Sequence, residues 1–127
     1  MRSIIYRKGT GEIVWVMQGS ENDCLYSLRR HGLAEHSYIE GAADPDRHYV
    51  DVASEELRER QPFDLMLSGN VVSGVPEGTV VSMPGRATVI ADASGVLELE
   101  VSHPETVSLR LLHPHYLAEE IEVVCEP

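Results

Sequence analysis

Along the second half of the chain, apolar and polar positions alternate, and turn residues break the alternation every few positions. Leu97, Leu99 and Val101 alternate with Glu98, Glu100 and Ser102. Val107, Leu109 and Leu111 alternate with Ser108, Arg110 and Leu112, and Ile121, Val123 and Cys125 with Glu122 and Val124. A strand sends successive side chains to opposite sheet faces, so a period of two predicts half-buried strands. Leu97, Leu99, Val101, Val107, Leu109, Leu111, Ile121 and Val123 should point inward, and Glu98, Glu100, Arg110 and Glu122 outward. Leu65 with Leu67, Thr79 to Met83 and Ala87 to Ala91 extend the series. Val75-Pro76-Glu77-Gly78, Pro84-Gly85 and Asp92-Ala93-Ser94-Gly95 supply its turns. Short strands at this spacing describe a small β-sandwich.

The first half is patterned differently. Ser3 to Arg7 and Glu12 to Gln18 are apolar runs joined by Lys8-Gly9-Thr10-Gly11, which predicts a hairpin. In the second run Ile13, Trp15 and Met17 share one face and Val14 and Val16 the other. Apolar residues on both faces suggest a central strand or one covered on both sides. Ser20 to Asp23 forms a capping box, Cys24, Leu25 and Leu28 an apolar stripe, and Arg29-Arg30-His31 a positively charged last turn before Gly32. These signals predict a helix over 21–31. His36 to Glu40 and Arg47 to Val52 read as a strand pair across the loop Gly41 to Asp46. Ser54 to Gln61 reads as one helical turn or an extended connector that ends at Pro62. The expected units are therefore 1–62 and 63–127.

Charge narrows the function classes. The 127 residues carry 21 acidic and 10 basic side chains, a net charge of −11. Such a surface repels phosphate backbones, which argues against a nucleic-acid partner. No apolar run reaches the length of a membrane-spanning helix, and the start of the chain lacks the apolar core of a signal peptide. Neither a membrane partner nor export is expected, and the chain reads as intracellular when made. Cys24 and Cys125 make no disulfide framework and read as reduced, partly buried thiols.

Candidate chemistry is thin. His103, His113 and His115 cluster in sequence, but His-Pro-His does not aim both rings at one point, and no cysteine pair accompanies it. There is no nucleophile elbow, and Cys24 shares the stripe of Leu25 and Leu28. Asp44 and Asp46 lie in a loop without calcium-loop glycine spacing. No catalytic, cofactor-binding or metal residue is expected, and no cofactor.

Two stretches carry a resemblance. The opening turn Thr10-Gly11-Glu12-Ile13, the short helix, His48-Tyr49-Val50-Asp51-Val52 and a compact β-module resemble small tail-associated proteins of bacteriophages and prophages. The Asp92-Ala93-Ser94-Gly95 turn and Pro114-His115-Tyr116-Leu117 also resemble the Ig-like and carboxypeptidase-regulatory-like pattern. The resemblance implies a non-enzymatic virion or tail-assembly role with other virion proteins as partners. The fold expected is mainly β (α+β), a hairpin–helix–hairpin unit followed by a small Ig-like sandwich. The hairpin leaves Ile5, Val14 and Val16 as the candidate protein-interaction residues. A rival reading is an Ig-like module that binds a cell-surface glycan through Trp15, Tyr38, Tyr49 or Tyr116. A small metal or acid–base enzyme is a third. The sequence names no partner, host or oligomeric state.

Overall fold

Cap, stripe and dipole signals coincide at one place in the chain, and there the helix forms. In the computed structural model, which describes all 127 residues, α1 spans Glu21–His31. The Ser20 hydroxyl accepts from the Asp23 N–H at 3.2 Å, and the Asp23 carboxylate accepts from the Ser20 N–H at 2.9 Å. Gly32 closes the helix at φ 105°, a conformation that favours glycine. Everything else regular is β, so the protein is mainly β with one helix.

The chain divides into two units, Met1–Arg60 and Gln61–Pro127. The boundary falls at Gln61 because that residue is tied to the second unit. Its N–H donates to the His115 carbonyl at 3.2 Å, and its carbonyl accepts from the Leu117 N–H at 2.9 Å.

In the first unit, β1 (Arg2–Arg7), β2 (Ile13–Gln18) and β3 (His36–Glu40) make one antiparallel sheet in the order β2-β1-β3. The expected pairing of His36–Glu40 with the 47–52 segment does not occur. β3 pairs with β1 instead, Ile4 opposite Ile39 and Ile5 opposite Tyr38. β4 (His48–Asp51) pairs with β5 (Glu56–Glu59), setting Val50 opposite Leu57. The charged segment after Ser54 is thus a strand. The Asp51 carboxylate accepts the N–H groups of Ala53 and Ser54 at 3.1 and 3.4 Å, and Glu55 takes φ 55°, which reverses the chain.

These two corrections decide what is covered. Val50 and Leu57 pack with Ile4, Tyr6, Ile13, Val16 and Ile39 on one face of the sheet. On the other face lies α1, whose His31 ring is 6.1 Å from Trp15 and 5.8 Å from His36. Trp15 and Tyr38 both stand opposite Ile5, so these residues and His36 share its face. Ile5 is accordingly 0% exposed and cannot meet a partner in this fold. Val14 and Val16 are half-buried. The register also shifts between Ile5 and Tyr6: Ile5 faces Trp15 but Tyr6 faces Ile13, leaving Val14 as the extra residue of a bulge. Ile13 is thereby moved to the face of Val16, away from Trp15 and Met17.

The second unit holds two antiparallel sheets. One comprises β6 (Met66–Ser68), β7 (Val71–Ser73) and β10 (Val96–Glu98) in the order β10-β7-β6. The other comprises β8 (Val80–Ser82), β9 (Val89–Ile90), β11 (Glu105–Leu112) and β12 (Glu119–Cys125) in the order β12-β11-β8-β9. Val72 of the first sheet and Val81, Leu109, Leu111 and Val123 of the second share one core with Phe63, Val75, Leu99, Val107 and Cys125. Over 97–123 the charged side chains expected outside are exposed, while burial of the eight apolar residues expected inside is complete for five and partial for three. Leu99, Val107, Leu109, Leu111 and Val123 are buried, Leu97, Val101 and Ile121 half-buried, and Glu98, Glu100, Arg110 and Glu122 exposed. β7 follows β6 through a turn at Gly69-Asn70 and has no counterpart among the expected strands. Leu99 to Val101 lie beyond the end of β10.

Candidate functional site

Strand edges are where a small β protein meets others, because an edge presents unpaired backbone donors and acceptors. Five edges of the three larger sheets are guarded or short. β12 carries Glu119, Glu120 and Glu122, and β3 and β10 end on Glu40 and Glu98. β6 has three residues and β9 two. β2 differs: its six residues, Ile13-Val14-Trp15-Val16-Met17-Gln18, include no charge, and only the bulge at Val14 interrupts it.

Beside that edge the helix builds a cleft of about 450 Å³, lined by Trp15, Ser27, Arg30 and His31. Trp15 is 51% exposed, and Tyr26, one helical turn before Arg30, is 61% exposed. The Arg30 guanidinium lies 5.9 Å from the Tyr26 ring centroid, a cation–π arrangement. His31 Nδ1 is 2.8 Å from the Ser27 carbonyl, which fixes the ring against the helix and beneath the indole. Trp, Tyr and Arg are the side chains that most often dominate the energetics of protein contacts. The basic last turn is also an exception in a protein of net charge −11. The arrangement suits an extended segment with an apolar contact for Trp15 and carboxylates for Arg30.

Of the three candidate interaction residues, Val14 and Val16 belong to this edge strand, half-buried, and Ile5 lies under the helix. The alternation along β2 groups Trp15 with Ile13 and Met17, and the helix dipole by itself accounts for a basic last turn. What sequence could not supply is the packing of α1 over β2, which brings residues 15 and 30–31 together.

A larger concavity, about 620 Å³, lies on the second unit over β8, β11 and β12. Arg110, Ser82, Ser108, Glu120 and Glu122 stand along it, with Arg110 directly opposite both Glu120 and Ser82. It holds no aromatic ring, and its one cation faces two carboxylates. The smaller cleft is chemically the more distinctive.

The histidines are engaged locally. His113 Nδ1 accepts from the His115 N–H at 3.1 Å, so Nε2 carries the proton and donates to the Glu77 carbonyl at 3.2 Å. His103 Nε2 is 3.1 Å from Glu105, which also meets Arg86. No three His, Cys, Asp or Glu side chains converge on a point that could hold a metal ion. Cys24 and Cys125 are free and buried, in different units. Three carboxyls are held below the usual carboxylate range by N–H and hydroxyl donors: Asp23 by Ser20, Asp51 by Ser54, and Asp92 by Ser94. All three close turns or caps.

The chain matches no protein-family model, no curated protein and no solved structure.

Proposed function

We propose that this chain is a non-enzymatic docking protein that joins other proteins through the β2 edge and the Trp15–Arg30 cleft, its setting a phage or prophage tail. The observation that carries the docking reading is the uncharged edge strand β2, with a half-exposed Trp15 beside an arginine and a tyrosine. The tail setting rests on the resemblance of the turn–helix–strand series to tail-associated proteins. In this reading the second unit is an Ig-like spacer. Its first, second and fifth strands form one sheet and its third, fourth, sixth and seventh the other. An immunoglobulin constant domain differs from that order only in the sheet of its fourth strand.

The glycan-binding alternative keeps one supporting feature. Among Trp15, Tyr38, Tyr49 and Tyr116, Trp15 alone is exposed, in a cleft with a polar rim. A sugar platform needs a ring face free for stacking.

Incorporation into particles tests the proposal. Particles released by the producing strain are purified, and the chain is sought by mass spectrometry in the tail fraction. The Trp15→Ala, Arg30→Ala double variant should fold and be lost from that fraction. A wild-type chain left wholly in the free-protein fraction overturns the tail setting, and a double variant incorporated as well as wild type overturns the docking surface.

A further inference from the structure

We infer that the cleft beside β2 receives the acidic edge strand β12 of a second copy of this chain, so that copies associate head to tail. The inference rests on the docking reading above and names its occupant.

Both halves of the contact are on this molecule. The acceptor is the edge of β2, with Trp15 exposed on its helix-side face and Arg30 and His31 above it. The donor is β12, seven residues at the edge of the β12-β11-β8-β9 sheet, whose carboxylates guard it against every partner but a basic one. Residues directly opposite share a face, so Glu120, Glu122 and Val124 face outward with Arg110, Ser108 and Thr106. Val124 is 71% exposed, unusual for a β-branched residue within a strand. An edge-to-edge pairing continues one sheet into the other. Val124 then covers the Trp15 indole, and Glu122, two residues away on the same face, reaches Arg30 and His31.

Charge selects this pairing over its alternatives. A β12–β12 contact would set Glu120 and Glu122 against their own copies, and a β2–β2 contact would bring two Arg30 guanidinium groups together. Like charges in such contacts are strongly disfavoured, whereas β2 against β12 joins opposite signs. The two surfaces lie on different units, so every copy offers one of each, and pairing closes into a reciprocal dimer or a ring or grows into an open filament.

Trp15 is the only tryptophan, so its emission reports the contact directly. Sedimentation velocity and emission are followed over increasing concentration of the intact chain, in about 0.1 M and about 1 M salt, where charges are screened beyond about 10 Å and 3 Å respectively. The expected result is concentration-dependent association with a blue shift of Trp15 emission at low salt, weakened by more than about tenfold at high salt. Arg30→Glu and the Glu120→Arg, Glu122→Arg pair should each weaken association to the same extent. Mixing the two variants should restore it, since every interface then pairs opposite signs. Circular dichroism confirms that the variants fold.

A wild-type chain that stays monomeric at high concentration and low salt overturns the inference. So does association that survives both charge reversals. If the chain is monomeric and the Trp15, Arg30 double variant is still lost from particles, the second-copy assignment fails while the docking surface stands. If the charge-swap series behaves as expected but incorporation ignores the double variant, docking onto other virion proteins fails instead.

Discussion

Gly11→Ala is the sharpest test of how the first unit holds together. Gly11 sits at φ 79°, and a Cβ added there would lie 1.9 Å from the Val50 carbonyl oxygen. The Val50 N–H also donates to the Gly11 carbonyl at 2.9 Å, so the β4–β5 hairpin rests directly on this loop. An alanine in the left-handed region costs about 1–2 kcal/mol. Moving the hairpin aside also loses a hydrogen bond worth about 1 kcal/mol and loosens the Val50 contacts with Ile4 and Tyr6. The expected loss is about 2–4 kcal/mol, a large part of the roughly 5–15 kcal/mol typical of a folded domain. Unfolding in urea, followed by the emission of Trp15, reports the transition of the unit that holds it, and the midpoint should fall by about 1–3 M. Gly9→Ala is the control: the same loop, no positive φ, and no atom within 4 Å of the added methyl. It should be neutral or slightly stabilising. Equal midpoints for the two variants would show that β4 does not lie against the loop.

The other predictions are simpler to state. Leu109→Ala, at a side chain 1% exposed in the second core, should cost about 2–5 kcal/mol in far-UV unfolding, and a loss below 1 kcal/mol would mean that the two sheets do not share that core. Ser20→Ala should cost about 1 kcal/mol through the lost cap, read by the Trp15 transition, because α1 covers the Ile5 face. Asp23 is held below its usual range chiefly by the Ser20 N–H and then by the Ser20 hydroxyl. Its contribution is therefore complete above the unfolded value of about 3.9 and lost as pH falls through the lower folded one. Wild type should lose stability relative to Asp23→Asn as acid is added below about pH 4, and a constant difference down to pH 2 would contradict this.

Periodicity reached different depths in the two units. In the second, alternation over 97–123 gave the buried and exposed faces, because a period of two leaves only two registers and Glu98, Glu100, Arg110 and Glu122 exclude one. It did not give strand lengths: Leu99 is buried yet lies past β10. In the first unit the pattern was ambiguous from the start. Val14 and Trp15 are both apolar, so the sequence carries no mark of the bulge that moves Ile13 from one face to the other. Glu56-Leu57-Arg58-Glu59 offers one apolar residue, too few to reveal a period, yet Val50 opposite Leu57 is enough to pack a hairpin on the sheet. Without that hairpin one face of β1 would be bare. Pairing β3 with β1 rather than β4 is a long-range choice that local signals do not encode.

The same coverage explains why Trp15, between Val14 and Val16 on β2, is the exposed apolar residue of that strand. Ile4, Ile5, Val14, Trp15 and Val16 are more apolar side chains than the helix alone can cover. Once β4 and β5 take one face and α1 the other, the buried members of that set, Ile4 and Ile5, no longer count. What remains is the strand's edge, Trp15 and the half-buried Val14 and Val16. Arg30 and His31 lie beside it because the helix stripe Cys24 and Leu28 faces the sheet, leaving Tyr26 and Arg30 on the outer side and His31 against Trp15. A positive last turn is what the helix dipole favours, and that accounts for the charges being on α1. It does not account for their lying beside the one long uncharged strand edge of an acidic protein. Exchanging Arg30 for Gln separates the two roles. If Arg30 serves only the dipole, docking and association are unchanged; if it receives a carboxylate, both weaken while the helix remains.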